Sequence, residues 1–398
     1  MKQIFSRSSL LSVKTSLIVM IFLIITACAQ SSSPKEVEFV INGKKIDKPP
    51  VIAVSKEPIM VPISFLEKNL DAKLEWYLAD QGSDNGIYYS DKVAVLMYHD
   101  ITAVPLEDKS VISVELFKEQ MEMLRTNGFQ VITLDQYKDF MLNEGKVPDN
   151  AVLITFDDGY KSFYTEAFPI LQEYNYSAVN FVIVSDVANE STLSKGRPKF
   201  SWDDMREMKK AGMYFYSHTN DLHRYGAMRE DGMQKPVMTR RQYFKDEKRM
   251  ETEEEYTARI TNDLTTAELK LKEELGNTNG VIAFPYGAYN KEVLEILKSV
   301  GIEFSFTVKE GINERGQTNG FRVNGSKAGE SAKQLIDKLK ALDRVDVDVV
   351  LHMNGKDVVF ADNQPRKSKD GVLIPLREYC KLNNIKFDQK KNRVSLEF

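Results

Sequence analysis

The sequence predicts an α/β protein: a parallel sheet closed, or nearly closed, into a barrel, with a small α+β module at each end of the chain. Two observations lead to this prediction. Between residues 93 and 345, strand and helix signals alternate, with about seven strands, one fewer than in a complete (β/α) barrel. A short repeat frames this region, with one copy before it and one copy after it.

Size and charge limit the classes of function. The chain has 398 residues, of which 42% are hydrophobic, enough for about two or three domains with ordinary cores. Its formal net charge of -4 gives no basic excess. We therefore do not expect nucleic acid as a partner.

The first 27 residues have the features of an export signal. Basic residues within the first 14 positions precede an apolar run over residues 17–25. This run is well short of the roughly 20 residues that a membrane span needs. The segment that follows, Ile-Thr-Ala-Cys28, resembles a bacterial lipobox. The resemblance implies cleavage before Cys28, a lipid on its thiol, and attachment to the extracellular face of the cell membrane.

The terminal repeat is identified by its motifs and their spacing. One copy begins with VEFVINGK at residues 37–44 and the other with VVLHMNGK at residues 349–356. The glycine of the Asn-Gly turn is followed 19 residues later by Pro62 in the first copy, and 20 residues later by Pro375 in the second. Each copy predicts a strand, a turn, a second strand, a short helix after the proline, and a final strand.

Both copies resemble the N-terminal-type module of copper amine oxidases, an accessory domain of secreted proteins in Gram-positive bacteria. Neither copy offers copper ligands, so we expect an accessory or wall-contacting role. The predicted organisation is a lipoprotein signal peptide (1–27), a tether and first module (28–92), a barrel (93–345), and a second module (346–398).

Candidate metal ligands follow two of the predicted strands. Asp157 and Asp158 end the apolar run 151–156, where a parallel α/β fold gathers its ligands. His218 and His223, two of only four histidines, follow another strand. Taken singly, a solvated Asp-Asp-Gly turn and core histidines are the simpler interpretations. Together, one carboxylate and two imidazoles suit Zn²⁺ or a similar divalent ion, so we predict Asp158, His218 and His223 as its ligands.

A third strand end carries the rigid turn Pro285-Tyr-Gly287. Such a turn can direct the backbone N–H of Tyr286 at a developing oxyanion. By itself the motif predicts only a turn.

These motifs together resemble those of polysaccharide deacetylases of the NodB-homology class, carbohydrate esterase family four. The resemblance covers roughly residues 93 to 340 and rests on several motifs in the family's order and spacing. The motifs are TFDDGY (155–160), His218-Thr with His223, FPYG (284–287), MYHD (97–100) and FSWDD (200–204). The resemblance implies a distorted (β/α)7-type barrel with a metal-dependent N-deacetylase site.

The resemblance also implies roles for single residues. Asp158, His218 and His223 would hold the ion, and we expect Zn²⁺. Asp157 would be the general base that takes a proton from water, and the Tyr286 amide would stabilise the oxyanion. Two further residues of these motifs, Tyr160 and Pro285, are our candidates for contact with the sugar.

The chain departs from the common family pattern in three places. The metal histidines are five residues apart, as in the subgroup that resembles exopolysaccharide deacetylases. Ala283 replaces the arginine that orients the base, and Arg322 on the last barrel strand is a candidate replacement. The late catalytic histidine has no clear equivalent: His352 aligns with Val40 of the first repeat, which favours a structural role. His99 resembles a histidine near the subgroup's active site; we expect it to act as acid or to position substrate, unless it is simply a strand-end histidine bonded to backbone.

The segment from Arg224 to Tyr256 separates the second metal histidine from the next helix. It is rich in charged residues, which favours a solvated surface loop. As a long insertion at the catalytic face, it is also a candidate wall for the sugar groove.

The sequence therefore predicts a membrane-tethered, metal-dependent N-deacetylase acting on N-acetylglucosamine polymers outside the cell. Peptidoglycan and poly-β-1,6-N-acetylglucosamine are the expected substrates, and the end modules are candidates for contact with the cell wall. Two alternatives stay open: an esterase acting on O-acetyl groups, and a non-catalytic wall-binding lipoprotein with a degenerate barrel. The four intact residues Asp157, Asp158, His218 and His223 argue against the second alternative.

Overall fold

The structure is a computed structural model that describes most of the chain from residue 37 onward. The described ranges are 37–47, 58–79, 86–103, 111–187, 197–278, 280–345, 347–353, 355–368, 371–390 and 393–398. The predicted signal peptide and Cys28 lie outside these residues. No helix within these ranges is long and apolar enough to cross a membrane. The described residues divide into two compact units: those up to residue 47 and those from residue 386 form one, and those between residues 58 and 385 form the other.

The larger unit contains the predicted barrel sheet. Its six long strands are parallel to one another, because each returns to the sheet through a helical connection. In spatial order they are Lys92–Tyr98, Ala151–Asp157, Ala178–Val182, Tyr214–Ser217, Gly280–Ala283 and Ile302–Phe306. Short strands Gln130–Val131 and Asn313–Glu314 add to this sheet beside Ala151–Asp157 and Lys92–Tyr98.

The seventh strand position nearly closes the barrel. Asn319–Gly320 pairs in parallel with Ile302–Phe306, and Val323–Asn324 pairs in parallel with Lys92–Tyr98 at the other edge of the sheet. One short stretch of chain therefore touches both edges, and it is interrupted at Arg322. The predicted barrel with about seven strands is confirmed.

Most of the helices around the barrel begin at residues whose side chains cap them. Ser113, Thr133, Ser201, Thr252 and Asn290 each accept a hydrogen bond from a backbone N–H in the first helical turn. Such caps satisfy N–H groups that have no partner within the helix. The helices of this unit's barrel are Val114–Thr126, Leu134–Leu142, Phe168–Glu173 (preceded by a π turn, Phe163–Ala167), Trp202–Lys210, Glu253–Leu275, Lys291–Ser299 and Ala332–Ala341.

Alternate residues of the barrel strands pack into two separate layers. One face of the sheet contributes residues such as Leu153 and Phe181 to a core closed by Tyr137 and Phe140. The other face packs against the surrounding helices, with Phe156 among its buried residues. Side chains of successive strand residues point to opposite faces, so these strands are buried on both sides and read as continuous apolar runs.

The insertion between His223 and the helix Glu253–Leu275 is folded and packed, which corrects its interpretation as a solvated loop. It forms two antiparallel hairpins, Tyr225–Ala227 with Gln234–Pro236 and Tyr243–Phe244 with Arg249–Met250. Val237 and Met238 between them are fully buried against the helix. The sequence hid this packing because charged residues outnumber the few apolar positions that make the contact.

The two copies of the terminal repeat pair with each other. In the larger unit, Met60–Pro62 pairs with Gly371–Pro375, and the equivalent residues Val61 and Ile374 stand opposite one another. Glu75–Leu78 pairs with Val347–Met353 in the same way, across the two copies. This sheet also includes Lys356–Val358 and Arg366–Ser368, and helices Ile63–Leu70 and Leu376–Leu382 follow its prolines.

The smaller unit is a four-stranded sheet that also draws on both copies. Glu38–Ile41 pairs antiparallel with Lys44–Lys45 and parallel with Arg393–Glu397, which pairs with Lys386–Lys390. We expected each copy to be a unit of its own; instead, strands of one copy complete the sheets of the other. The likeness to copper amine oxidase modules and the domain boundaries remain predictions.

Candidate metal centre and active site

The two adjacent aspartates leave their strand through a left-handed turn. Asp157 is the last residue of the strand Ala151–Asp157, and Asp158 has φ +74°. A left-handed backbone costs a residue with a Cβ about 1–3 kcal/mol, so the surroundings must hold it. The Lys199 ammonium does so in part by donating a 2.7 Å hydrogen bond to the carbonyl oxygen of Asp158. The turn places the two carboxylates in different surroundings.

The three predicted metal ligands come together at one point. Oδ1 of Asp158 lies 3.5 Å from Nε2 of His218 and 3.5 Å from Nε2 of His223. All three candidate ligand atoms lie within 4.8 Å of one another. Two ligands about 2.0–2.1 Å from a tetrahedral Zn²⁺ are themselves about 3.3–3.4 Å apart, so this spacing fits a shared ion.

The chemistry of these ligands also fits a cation. Oδ1 of Asp158 is buried and has no hydrogen-bond partner among the described residues. A buried carboxylate oxygen without a partner costs several kcal/mol unless a cation satisfies it. Burial lowers the pKa of His218 to about 4, so its imidazole is neutral at pH 7 and has a lone pair to offer.

His218 is oriented by a backbone group. Its Nδ1 lies 2.8 Å from the carbonyl oxygen of Ala283 and donates to it in the tautomer that leaves Nε2 free. Metal-binding histidines commonly donate their second ring N–H to such a carbonyl, which fixes both tautomer and ring orientation. Ala283 thus contributes to the site through its backbone carbonyl, since its methyl side chain has no group that can form a hydrogen bond.

Asp263, a residue that sequence reasoning missed, holds the loop between the two histidines. From the helix Glu253–Leu275, its carboxylate accepts hydrogen bonds from the backbone N–H groups of Asn220 (2.9 Å) and Asp221 (2.8 Å). Burial raises the pKa of Asp263. One signal in the sequence could have identified Asp263: this carboxylate is close to the buried helix positions Ile260 and Leu264, and a charge near the buried face of a helix needs a partner.

Asp157 is paired with Arg322. The guanidinium donates to both carboxylate oxygens, at 2.7 and 2.8 Å, and its Nε donates to the carbonyl oxygen of Thr307 at 2.8 Å. Burial would raise the pKa of Asp157, but the positive charge of Arg322 and its hydrogen bonds to the carboxylate outweigh burial and hold that pKa below its usual range. Asp157 is therefore ionised at neutral pH, and the structure places Arg322 where we expected a replacement for the missing arginine.

His99 lies beside the same carboxylate. Its Nε2 is 3.9 Å from Oδ2 of Asp157, and its side chain is 24% exposed. His99 therefore lies between the buried Asp157 carboxylate and solvent. His352, by contrast, lies on the strand Val347–Met353, in the sheet that the two repeat copies form together in the larger unit. There its Nδ1 is 3.0 Å from Oδ1 of Asp357. That position agrees with the structural role that the repeat predicted for His352.

The Pro-Tyr-Gly turn stands next to the candidate metal ligands. The Tyr286 ring packs against His223 with centroids 4.4 Å apart, and Tyr286 itself has φ +58°. Gly287 has φ +64°, and a Cβ there would come within 2.3 Å of Cγ2 of Val308. The turn therefore requires glycine, and its buried Pro285 and backbone fix where Tyr286 points.

Tyr160, our candidate for sugar contact, is engaged by two cations. The Lys199 ammonium lies 3.8 Å and the Arg197 guanidinium 4.4 Å from its ring centroid. Arg197 is in turn paired with Asp100 at 2.8 Å. Contact of Tyr160 or Pro285 with a sugar remains a prediction.

The fold and these strand-end residues define a polysaccharide deacetylase domain. The polysaccharide deacetylase family matches residues 144–305, and the chain contains a domain of this NodB-homology class, as the motifs predicted. Two curated relatives carry the name poly-β-1,6-N-acetyl-D-glucosamine N-deacetylase. The protein of Escherichia coli K12 is 34% identical over 233 residues, which are 55% of this chain and 34% of the relative. That of Staphylococcus aureus MSSA476 is 26% identical over 275 residues, 65% of this chain and 86% of the relative.

A solved structure shares the fold. The de-N-acetylase of Aggregatibacter actinomycetemcomitans superposes with a TM-score of 0.57 at 25% identity, covering 63% of this chain and all of that one. The present chain spans about a third of the length of the Escherichia coli relative, 34%. The likeness therefore establishes the domain and its fold.

Proposed function

We propose that this protein is a metal-dependent N-deacetylase that removes acetyl groups from N-acetylglucosamine polymers outside the cell. One observation carries the proposal: three metal-ligand atoms converge beside a second carboxylate that an arginine keeps charged and in place. The names of the relatives, which are N-deacetylases of poly-β-1,6-N-acetylglucosamine, support this polymer as substrate ahead of peptidoglycan.

Asp158, His218 and His223 would hold the ion, and we propose Zn²⁺ because two imidazoles and a carboxylate are a common ligand set for it. A divalent ion held there would acidify water and polarise the acetamide carbonyl. Asp157 and Asp158 differ in role because only Asp158 faces the two histidines, whereas Asp157 faces Arg322.

Asp157 is the proposed general base. Its bidentate bond to Arg322 fixes both the orientation of the carboxylate and its charge, so it can accept a proton from the attacking water. The N–H of Tyr286 would donate to the oxyanion, and losing such a donor typically costs about 3 kcal/mol of transition-state stabilisation. His99 is the proposed acid that protonates the leaving amine. The products are acetate and a free amino group on the sugar.

The cellular setting is also part of the proposal. The lipobox at Cys28 supports a lipid anchor on the extracellular face of the membrane, where an exported polymer is within reach. The end modules are proposed to contact the cell wall.

Acetate release tests the proposal. The purified protein is assayed on three polymers: poly-β-1,6-N-acetylglucosamine, peptidoglycan and acetylated xylan. Each assay is run with protein stripped of metal by a chelator and again after Zn²⁺ has been restored. We expect release from the first polymer only with metal, and a fall of about 10²–10⁴-fold for Asp157→Asn. Asp203→Asn is the matched control, because this carboxylate is on an exposed helix face, with a side chain 90% exposed.

Three outcomes would contradict the proposal. Acetate release by Asp157→Asn at the wild-type rate would remove the base from the mechanism. Release from acetylated xylan alone would identify an O-acetyl esterase. Binding of the polymers without acetate release under any metal condition would identify a non-catalytic wall-binding protein.

A further inference from the structure

A row of four aromatic rings leads from the metal ligands to the surface. The ring centroids of His218 and His223 are 4.7 Å apart, those of His223 and Tyr286 are 4.4 Å apart, and those of Tyr286 and Tyr225 are 4.6 Å apart. Exposure increases along the row: His218 is 2% exposed, Tyr286 39% and Tyr225 51%. The outer two rings, Tyr286 and Tyr225, are called the tyrosine pair below.

Tyr225 belongs to the insertion, and the insertion holds it firmly. Tyr225 begins the first strand of the hairpin that Tyr225–Ala227 forms with Gln234–Pro236. A Cβ on the next residue, Gly226, would come within 2.6 Å of Cγ1 of Val237. The hairpin therefore lies directly on Val237, which is fully buried.

The helix Glu253–Leu275 anchors this packing. The Tyr256 hydroxyl donates to the carbonyl oxygen of Met238 at 2.7 Å, and the Arg259 guanidinium donates to that of Val237 at 3.2 Å. Arg259 also pairs with Glu251, which is 1% exposed. Because the hairpin is fixed by buried contacts, the position of Tyr225 is set before any ligand arrives.

The tyrosine pair has two properties that surface packing alone does not require. The two large rings are in contact, yet both stay about half exposed. Because much of each ring remains in water, burial contributes little free energy to keeping the rings in this position. Tyr286 also keeps a left-handed backbone, which costs about 1–3 kcal/mol and is characteristic of functional sites. Aromatic rings offer flat apolar faces with a polar edge, and a pyranose ring has a matching apolar C–H face bordered by hydroxyl groups.

We propose that Tyr225 and Tyr286 form a subsite for a pyranose ring of the polymer chain, next to the sugar whose acetyl group lies at the metal ligands. This inference rests on the proposed function and gives the insertion a role as one wall of the sugar groove. The two outer rings of the row are phenols and not charged groups, which suits a neutral N-acetylated amino sugar. The subsite binds a neighbouring sugar, so its effect depends on oligomer length.

Binding is measured by titration calorimetry with β-1,6-linked N-acetylglucosamine pentamer, in the Asp157→Asn background so that no turnover occurs. Replacing Tyr225 by Ala removes the outer ring, and we expect the dissociation constant to rise about tenfold, the upper range for one aromatic contact. Tyr225→Phe keeps the ring and should stay within about twofold of its parent. Tyr289→Ala is the control: this tyrosine is similarly exposed at 43%, but its ring lies flat on Phe284, outside the row.

Turnover provides the second measurement. With a catalytically intact chain, Tyr225→Ala should raise KM for the pentamer about tenfold and change kcat far less, because the ring contact of Tyr225 is with the Tyr286 ring and its proposed role is to hold the neighbouring sugar. The rise in KM should be smaller with the monosaccharide N-acetylglucosamine, which has no neighbouring ring and so cannot occupy both the tyrosine pair and the position at the metal ligands. Equal affinity of Tyr225→Ala and its parent for the pentamer, in a folded protein, overturns the inference. Failure of the proposed function would instead appear as absence of acetate release by wild type, whatever the calorimetry shows.

Discussion

Arg322 offers the sharpest test of the active-site structure. The guanidinium is 1% exposed and makes four hydrogen bonds, two of them to Asp157 and the others to the Thr307 carbonyl and to Oγ1 of Thr155 at 3.3 Å. Arg322→Met keeps an unbranched apolar stem but removes every one of these donors. Breaking a buried ion pair from one side costs about 3–5 kcal/mol, since the remaining charge is buried without a partner.

The pH dependence of this loss has a definite sign. In the wild type, the pKa of Asp157 is held below its unfolded value, so its contribution to stability is present above the unfolded pKa near 3.8 and is lost only as pH falls through the lower folded value. In Arg322→Met, burial acts without the balancing guanidinium and raises the pKa of Asp157. Acid then protonates the stranded carboxylate, so the variant's deficit should be largest near neutral pH and shrink towards about pH 5.

The measurement is urea unfolding in the presence of a chelator, at neutral pH and at about pH 5. The double variant Asp157→Asn with Arg322→Met is the control, because it removes both charges and should recover much of the lost stability. A single variant that loses less than about 1 kcal/mol at neutral pH, or loses more in acid, would refute the reasoning.

Three further predictions follow from particular residues. Zn²⁺ at about 100 times its dissociation constant should raise the free energy of unfolding by about 2.7 kcal/mol, and Asp158→Asn should abolish most of that gain in a thermal-shift titration. Asp263→Ala should weaken Zn²⁺ binding about 10–100-fold by freeing the histidine loop, whereas an unchanged affinity by competition with a chelator would leave Asp263 without this role. Burial raises the pKa of Glu268 from 4.5 to about 7, so its contribution to stability is present below 4.5 and lost as pH rises through 7. Glu268→Gln should therefore stabilise the protein by up to about 2 kcal/mol at pH 8 and much less at pH 5, as followed by unfolding temperature; the reverse order would contradict the assignment.

Local signals in the sequence were sufficient for most of the barrel. The helices Val114–Thr126 and Glu253–Leu275 begin and end where caps and a terminal Gly276 predict them. The apolar runs at 93–98 and 151–156 are strands because both of their faces are buried. These features depend on residues a few positions apart, so periodicity and capping are enough to detect them.

The pairing of the terminal repeats was beyond such reasoning. Each copy reads correctly as strand, turn, strand, helix and strand, yet Val61 pairs with Ile374, more than 300 residues away. The two copies have similar strand-forming patterns, so a strand can satisfy its backbone groups equally well with its own copy or with the other. Only the arrangement of the whole chain distinguishes the two pairings.

The same division holds at the active site. The residue types and their places at strand ends identified Asp157, Asp158, His218 and His223, because parallel strands bring their carboxyl ends to one edge. The family resemblance already suggested Asp158 as the ligand and Arg322 as the partner of Asp157, but the distances that allow these pairings depend on a left-handed turn and on a strand that breaks at the barrel's closure. The contributions of Asp263 and Tyr225 likewise depend on contacts between elements distant in sequence. Composition and spacing show which chemical groups are present. Distances and burial determine the role of each group, and both are set only when the chain packs.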